Sequence, residues 1–182
     1  MSKKLALFGG EKIFNEKVER YNSIGVSEVD AVKKVVESGI LSQYLGEWDV
    51  DFYGGPKVKE FENDWSEYFN IKHSIAVNSN TSGLIIALGA IGLEPGDEVI
   101  VSPWTMSASA TAILVWNAIP VFADIEDETF NLDPASIEKN ISPYTKAIVV
   151  TNIFGHPARL YEIMEIAKKY KLKVIEDNAQ AP

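Results

Sequence analysis

Two acids, Glu176 and Asp177, follow the short apolar run Val174-Ile175 close to the end of the sequence. If that run is a strand of an open parallel sheet, the acids stand at its carboxyl end, where such sheets bind ligands. Side chains alternate along a strand, so one acid can face a cationic ligand while its neighbour points away. The plainer alternative is that Asp177 or Asn178 caps a following helix. A second candidate is Val77-Asn-Ser-Asn-Thr-Ser-Gly-Leu84, which puts Thr81, Ser82 and Gly83 in the opening turn of a predicted helix. Unpaired backbone N–H groups and two hydroxyls at a helix N-terminus suit an anion such as phosphate. The same residues equally make an ordinary N-cap. The loop lacks the G-x-G-x-x-G and Walker patterns, which argues against dinucleotides and nucleoside triphosphates.

Two further loops carry side chains of interest. In Ser102-Pro-Trp-Thr-Met-Ser-Ala-Ser109, Trp104 and Met106 either cover a planar ligand or serve as core or rim residues. In Asn152-Ile-Phe-Gly-His156-Pro157, His156 is either a local hydrogen-bonding group or a substrate contact. His73 and His156 are isolated from each other and match no zinc-binding spacing. The run Glu126-Asp-Glu128 reads as a solvated loop.

The elements that must position these loops alternate. Apolar, β-branched runs at 74–77, 99–101, 119–123, 147–151 and 173–175 are spaced by the length of a strand plus a crossover helix. Helices are predicted over 82–91, 105–116, 134–139 and 157–170, the last with Leu160, Ile163, Met164 and Ala167 inward and lysines at its carboxyl end. Alternation of this kind demands an α/β fold, a mainly parallel sheet with helices on both faces. Ahead of it, residues 1–24 read as an irregular arm. Ser27-Glu-Val-Asp30 reads as a capping box opening a helix with Val29, Val32 and Val36 on one face and a stop at Gly39. The glycine- and aromatic-rich segment 39–55 reads as an ordered loop, and Pro56 opens a second amphipathic helix through Val58, Phe61, Trp65 and Phe69.

Composition narrows the function. With 182 residues, 46% of them hydrophobic, the chain can bury one sizeable core. Its 17 basic and 26 acidic residues give a net charge of −9, which argues against nucleic-acid and anionic-membrane partners. There is no cysteine, so disulfides and thiolate sites are excluded. The apolar run Leu5 to Phe8 is too short for a signal peptide, and Ala108 to Ala123 is interrupted by Trp116-Asn117 and Pro120, so neither reads as a membrane segment. A cytoplasmic location is expected. Each of the four loops follows a predicted strand, so all should emerge at one sheet edge. An anion site, a flat apolar cover and a carboxylate converging there suit a ring bearing a phosphate and a basic nitrogen. Pyridoxal phosphate has those parts, and a carboxylate beside its pyridine nitrogen keeps that nitrogen protonated.

The segments Asn78-Ser-Asn-Thr-Ser-Gly-Leu, Glu94-Pro-Gly-Asp-Glu-Val-Ile-Val-Ser-Pro, Pro120-Val-Phe-Ala-Asp-Ile, Asn131-Leu-Asp-Pro, Thr145-Lys-Ala-Ile and Val174-Ile-Glu-Asp-Asn-Ala-Gln-Ala-Pro, in this order, resemble the DegT/DnrJ family of sugar aminotransferases. The resemblance runs from about Tyr21 to Pro182. It implies the large domain of the type I fold of pyridoxal-phosphate enzymes over 25–182, incomplete at its carboxyl end. It further implies a cytoplasmic homodimer in nucleotide-sugar or cell-wall polysaccharide biosynthesis. The expected reaction transfers an amino group from glutamate or glutamine to a keto group of a nucleotide-linked sugar. By position, Thr81 and Ser82 match the phosphate-binding pair, Asp177 the carboxylate at the pyridine nitrogen, and Gln180 the group beside the ring hydroxyl. Glu176 then faces away. The ring-covering aromatic of the family falls at Met106, so either Met106 or Trp104 takes that part here.

The same resemblance implies a lysine that forms a Schiff base with the cofactor some tens of residues beyond the Asp177 position. Lys146, Lys168, Lys169, Lys171 and Lys173 do not match its context. The expectation is therefore the N-terminal part of an aminotransferase, truncated or half of a split enzyme. Its alternatives are a sugar dehydratase with histidine at the lysine position and a catalytically inactive module that binds a partner.

Overall fold

The computed structural model describes residues 4–17, 19–50 and 52–180; residues 1–3 of the expected arm and Ala181-Pro182 of the final motif lie outside them. Two compact units make up the chain, one reaching Ser74 and one starting at Ile75.

In the first unit, helix α1 spans Val26–Ser38 and α2 spans Pro56–Tyr68. The start of α1 differs from the expected capping box by two residues. Gly25 is the cap, and Glu28, in the third helical position, accepts the Gly25 N–H at 2.6 Å. A carboxylate there satisfies a donor that has no helical partner, and the bond holds the Glu28 carboxyl below its ordinary value of 4.5. Val29, Val32 and Val36 form the expected stripe, all of them exposed, and Gly39 ends the helix with φ 71. The aromatics of the 39–55 loop pack on one another: Trp48 stacks on Phe52 with ring centroids 4.6 Å apart, and Tyr53 meets both edge-on. Gly54 donates to the Gln43 carbonyl at φ 90, and a Cβ there would lie 2.8 Å from the Tyr44 ring. Only glycine fits that turn.

The second unit is a four-stranded parallel sheet with helices on both faces. Its elements are α3 (Asn80–Ala90), β1 (Glu98–Val101), α4 (Ser107–Leu114), β2 (Ile119–Phe122), α5 (Pro134–Lys139), β3 (Thr145–Thr151), α6 (Leu160–Tyr170) and β4 (Lys173–Asp177). The order across the sheet is β2-β1-β3-β4, and every pair is parallel. The central strands read as continuous apolar runs because both faces are covered. Val99, Val101, Ala147 and Val149 join Leu84, Leu88, Ala112 and Ile113 on one face, beneath α3 and α4. Ile100, Ile148 and Val150 join Ile137, Ile163 and Ala167 on the other, beneath α5 and α6.

One expected strand is missing from this sheet. Residues 74–77 run into α3 without being one of its four strands. Their β-branched content marks a chain that fits a pleated surface, but only a hydrogen-bonded ladder makes a strand. The loop before α3 therefore follows a segment without regular secondary structure, whereas the other three candidate loops do follow strands. No helix among the described residues is long and apolar enough to cross a membrane.

Candidate active site at the carboxyl edge of the sheet

The strand parity of β4 decides where its two acids go. Ile175 packs with the α3/α4 core and Val174 with the α5/α6 core. Asp177, two residues after Ile175, therefore faces α3 and α4, while Glu176 faces the opposite side. The hydrogen bonds agree. Glu176 is exposed and accepts Asn152 Nδ2 at 3.3 Å. Asp177 is only 4% exposed and is held from both helices: Asn80 Nδ2, at the start of α3, lies 2.8 Å from Oδ1, and Ser109 Oγ, in α4, lies 2.7 Å from Oδ2. The Ala179 N–H adds a third donor to Oδ1 at 3.3 Å. Asp177 thus ends β4 and is held from two helices and from the backbone two residues on. No salt bridge reaches it among the described residues; its partners are neutral donors.

Thr81 and Ser82 stand in the first turn of α3, beside Asn80. The cap itself is Ser79, whose Oγ accepts the Ser82 N–H at 3.2 Å. Gly83 donates to the Ser79 carbonyl. That leaves the backbone N–H groups of Asn80 and Thr81 without a helical partner, next to the exposed Thr81 hydroxyl. Capping uses the Ser82 N–H, so it does not compete for the two N–H groups that an anion would need.

Met106 and Trp104 sit in the turn between β1 and α4. Met106 precedes the helix and is 70% exposed. Trp104 is half-exposed and packs on Phe130 with centroids 5.3 Å apart. Gln180 follows β4, and its Oε1 accepts the Phe154 N–H at 2.6 Å. With that oxygen occupied, the amide's N–H₂ donors remain available.

Residues that the sequence reading passed over complete the site. Asn80 and Ser109 lie inside loops singled out for other side chains. Behind Ser109, Thr105 Oγ1 lies 2.8 Å from Ser109 Oγ and 3.1 Å from Thr151 Oγ1. Thr151 is paired with Asp177 in the β3/β4 register and shares its face. Asn131 Nδ2 lies 3.2 Å from His156 Nδ1 and within 3.3 Å of the carbonyls of His156 and Pro157, while Asn131 Oδ1 accepts the Ile153 N–H. It braces a turn. Glu126 corrects the expectation of a purely solvated acidic run, since it accepts Arg159 Nε at 2.6 Å and Thr129 Oγ1 at 2.6 Å. The five lysines Lys146, Lys168, Lys169, Lys171 and Lys173 are all exposed, and none contacts Asp177 among the described residues.

The donor set fits a phosphorylated, cationic aromatic ring: a helix N-terminus whose first N–H groups have no helical partner, and a buried carboxylate joined to it through Asn80. Solved proteins sharing the fold include aminotransferases of the type I pyridoxal-phosphate class. NtdA from Bacillus subtilis, solved with the bound cofactor PMP, superimposes with a TM-score of 0.78 at 33% identity, covering 92% of this chain and 38% of its own. Residues 24–182 match the DegT/DnrJ/EryC1/StrS aminotransferase family, and the chain belongs to it. The spore coat polysaccharide biosynthesis protein SpsC of Bacillus subtilis is 41% identical over 158 residues, 87% of this chain and 38% of its own length. GDP-perosamine synthase of Caulobacter vibrioides is 43% identical over 127 residues, 70% of this chain and 34% of its length. The chain thus spans little more than a third of the curated relatives it matches.

Proposed function

We propose that this chain supplies the cofactor-binding part, over 25–182, of a pyridoxal-phosphate-dependent aminotransferase acting on a keto group of a nucleotide-linked sugar, with glutamate or glutamine as donor. The observation that carries the reading is Asp177: a buried carboxylate at the sheet edge, clamped by neutral donors and adjoining a helix N-terminus with free N–H groups. The sugar substrate rests on likeness to GDP-perosamine synthase, and a homodimer in the cytoplasm is the assembly and place proposed with it.

When bound, the cofactor supplies a protonated aromatic ring that withdraws electrons from the carbon being deprotonated. The chain's own residues do the rest. Asp177 holds the proton on the ring nitrogen, because a carboxylate next to that atom favours its charged form. Thr81, Ser82 and the free N–H groups of α3 hold the phosphate, aided by the positive end of the helix dipole. Met106 covers the ring, since Trp104 is already packed on Phe130. Gln180 donates to the ring hydroxyl with the amide turned by Phe154. The amine nucleophile is proposed to be a lysine outside residues 1–182.

The test is Asp177→Asn in the enzyme carrying this chain. Turnover should drop at least about a hundredfold, because a preorganised electrostatic group of this kind contributes that much. Near-normal turnover would remove the assigned role. Borohydride reduction after pyridoxal phosphate is added should leave no specific adduct on Lys146, Lys168, Lys169, Lys171 or Lys173; one there would place the nucleophile within the chain.

A further inference from the structure

We infer that Thr151, Thr105 and Ser109 form a one-way hydroxyl relay whose three O–H groups all point toward Asp177, making them positioning residues for the reaction; this rests on Asp177 facing the ring nitrogen. The direction follows from counting protons. An ionised carboxylate only accepts, so Ser109, 2.7 Å from Oδ2, gives its single hydroxyl proton to Asp177. Ser109 then has no proton left for Thr105, 2.8 Å away, so Thr105 must be the donor in that pair. By the same count Thr105 cannot donate to Thr151 at 3.1 Å, and Thr151 donates to it. Three O–H dipoles are thus aligned in series with their positive ends toward Oδ2.

Both ends of the relay are buried, with Thr105 between them half-buried. Ser109 is fully buried, Thr151 is 6% exposed and Asp177 is 4% exposed. It joins the ends of neighbouring strands β3 and β4 through the first turns of α4 and the loop before it. Hydroxyls polarise one another in series, so the last bond is stronger than an isolated one. Burial without a cation raises the demand for such support, since a buried charge needs hydrogen-bonded partners. Lone-pair counting assigns the ligand's place as well. Oδ1 already accepts two donors, Asn80 Nδ2 and the Ala179 N–H, whereas Oδ2 accepts only Ser109 among the described residues. The remaining acceptor site for a ring N–H is on Oδ2, the oxygen the relay serves.

Isosteric substitutions test this on the holoenzyme loaded with cofactor labelled with ¹⁵N in the pyridine ring. Thr105→Val and Thr151→Val keep shape and remove a hydroxyl; Thr105→Ser and Thr151→Ser keep the hydroxyl and remove a methyl. The relay requires the valine variants to move the ¹⁵N resonance toward the unprotonated ring and to lower kcat with sugar KM unchanged, while the serine variants stay near wild type. Ser109→Ala should be the most affected, by about tenfold or more in kcat, as for loss of a hydrogen bond to a charged group, and Ser109→Thr should restore it. A packing role gives the opposite order, with valine tolerated and serine harmful, and that order would overturn the relay. Asp177→Asn is the reference. If it moves the ¹⁵N signal while Ser109→Ala and Thr105→Val do not, the relay alone is wrong. If Asp177→Asn leaves the signal unmoved, the reading of the site falls and the relay with it.

Discussion

Asn80 Nδ2 and Asp177 Oδ1 lie 2.8 Å apart across 97 residues of sequence. One bond thereby ties the proposed phosphate end of the site to its carboxylate end, since Asn80 is also the first residue of the helix whose turn holds Thr81 and Ser82. Removing it with Asn80→Ala should weaken pyridoxal phosphate binding by about tenfold, the loss expected for one hydrogen bond to a charged group. Asn80→Asp should weaken it further, because a second carboxylate would face Asp177. Fluorescence titration with the cofactor measures both. Equal affinity in wild type and Asn80→Asp would show that the two ends of the site are not coupled through this bond.

The division of labour within the α3 loop gives a second expectation. Ser79 caps the helix by accepting the Ser82 N–H, and replacing a capping serine with alanine costs about 1 kcal/mol. Ser79→Ala should therefore lower the melting temperature. The double variant Thr81→Ala, Ser82→Ala leaves the cap oxygen and backbone in place, so its main effect should be weaker retention of the cofactor on dialysis. Unchanged retention in the double variant would leave the loop with its capping role alone.

Most of this architecture could be read from the sequence, and the failures have a common cause. The runs at 99–101, 119–123 and 147–151 became β1, β2 and β3 because unbroken β-branched stretches between helical patterns belong to a sheet covered on both faces. Alternation along Val174–Asp177 does put the two adjacent acids on opposite faces, with Asp177 toward α3 and α4. What escaped was whatever depends on a partner distant in sequence. Residues 74–77 look as strand-like as the others, but a strand needs a neighbour, and composition does not supply one. Ser109 and Asn80 are small polar residues in or next to helices, indistinguishable from solvent-facing ones until α3 and α4 are laid over the end of β4. Glu126 looked solvated because its partner, Arg159, is across a turn that the local pattern does not reveal.

Glu138 links α5 to α6 by accepting Lys169 Nζ at 2.6 Å and the Tyr170 hydroxyl at 3.0 Å. The bond from Lys169, then that from Tyr170, holds the Glu138 carboxyl below its ordinary value of 4.5, and Glu138 in turn raises Lys169 above 10.5. The signs define a window. A depressed carboxyl stabilises the fold above its unfolded value and stops doing so as pH falls through its folded one; a raised amine stabilises below its unfolded value and stops as pH rises through its folded one. The pair therefore contributes in full between 4.5 and 10.5. Both groups are exposed, so the effect is small and weakened by salt. Glu138→Gln should lower stability to urea at pH 7, and the difference from wild type should shrink as the solution is acidified below the Glu138 range. A difference that persists in full under acid would assign it to packing.

Phe154 adopts a left-handed backbone, φ 56 and ψ 19, which a side chain other than glycine occupies at a cost of about 1 kcal/mol. What keeps it there is on either side. Its N–H donates to Gln180 Oε1 at 2.6 Å, and its ring meets Phe130 edge-on at 6.1 Å. Phe154→Ala loses the ring and keeps the strain, whereas Phe154→Gly loses the ring and the strain together, so the glycine variant should be the more stable by about 1 kcal/mol, the reverse of the usual order within helices and strands. Gln180→Glu keeps an acceptor for the Phe154 N–H and should preserve the turn while removing the amide donors proposed for the ring hydroxyl. Gln180→Leu removes both. Melting temperature and cofactor affinity should therefore separate in the glutamate variant and decline together in the leucine one. If affinity in Gln180→Glu matches wild type, the amide does not face the cofactor, and its only task is to hold Phe154 in place.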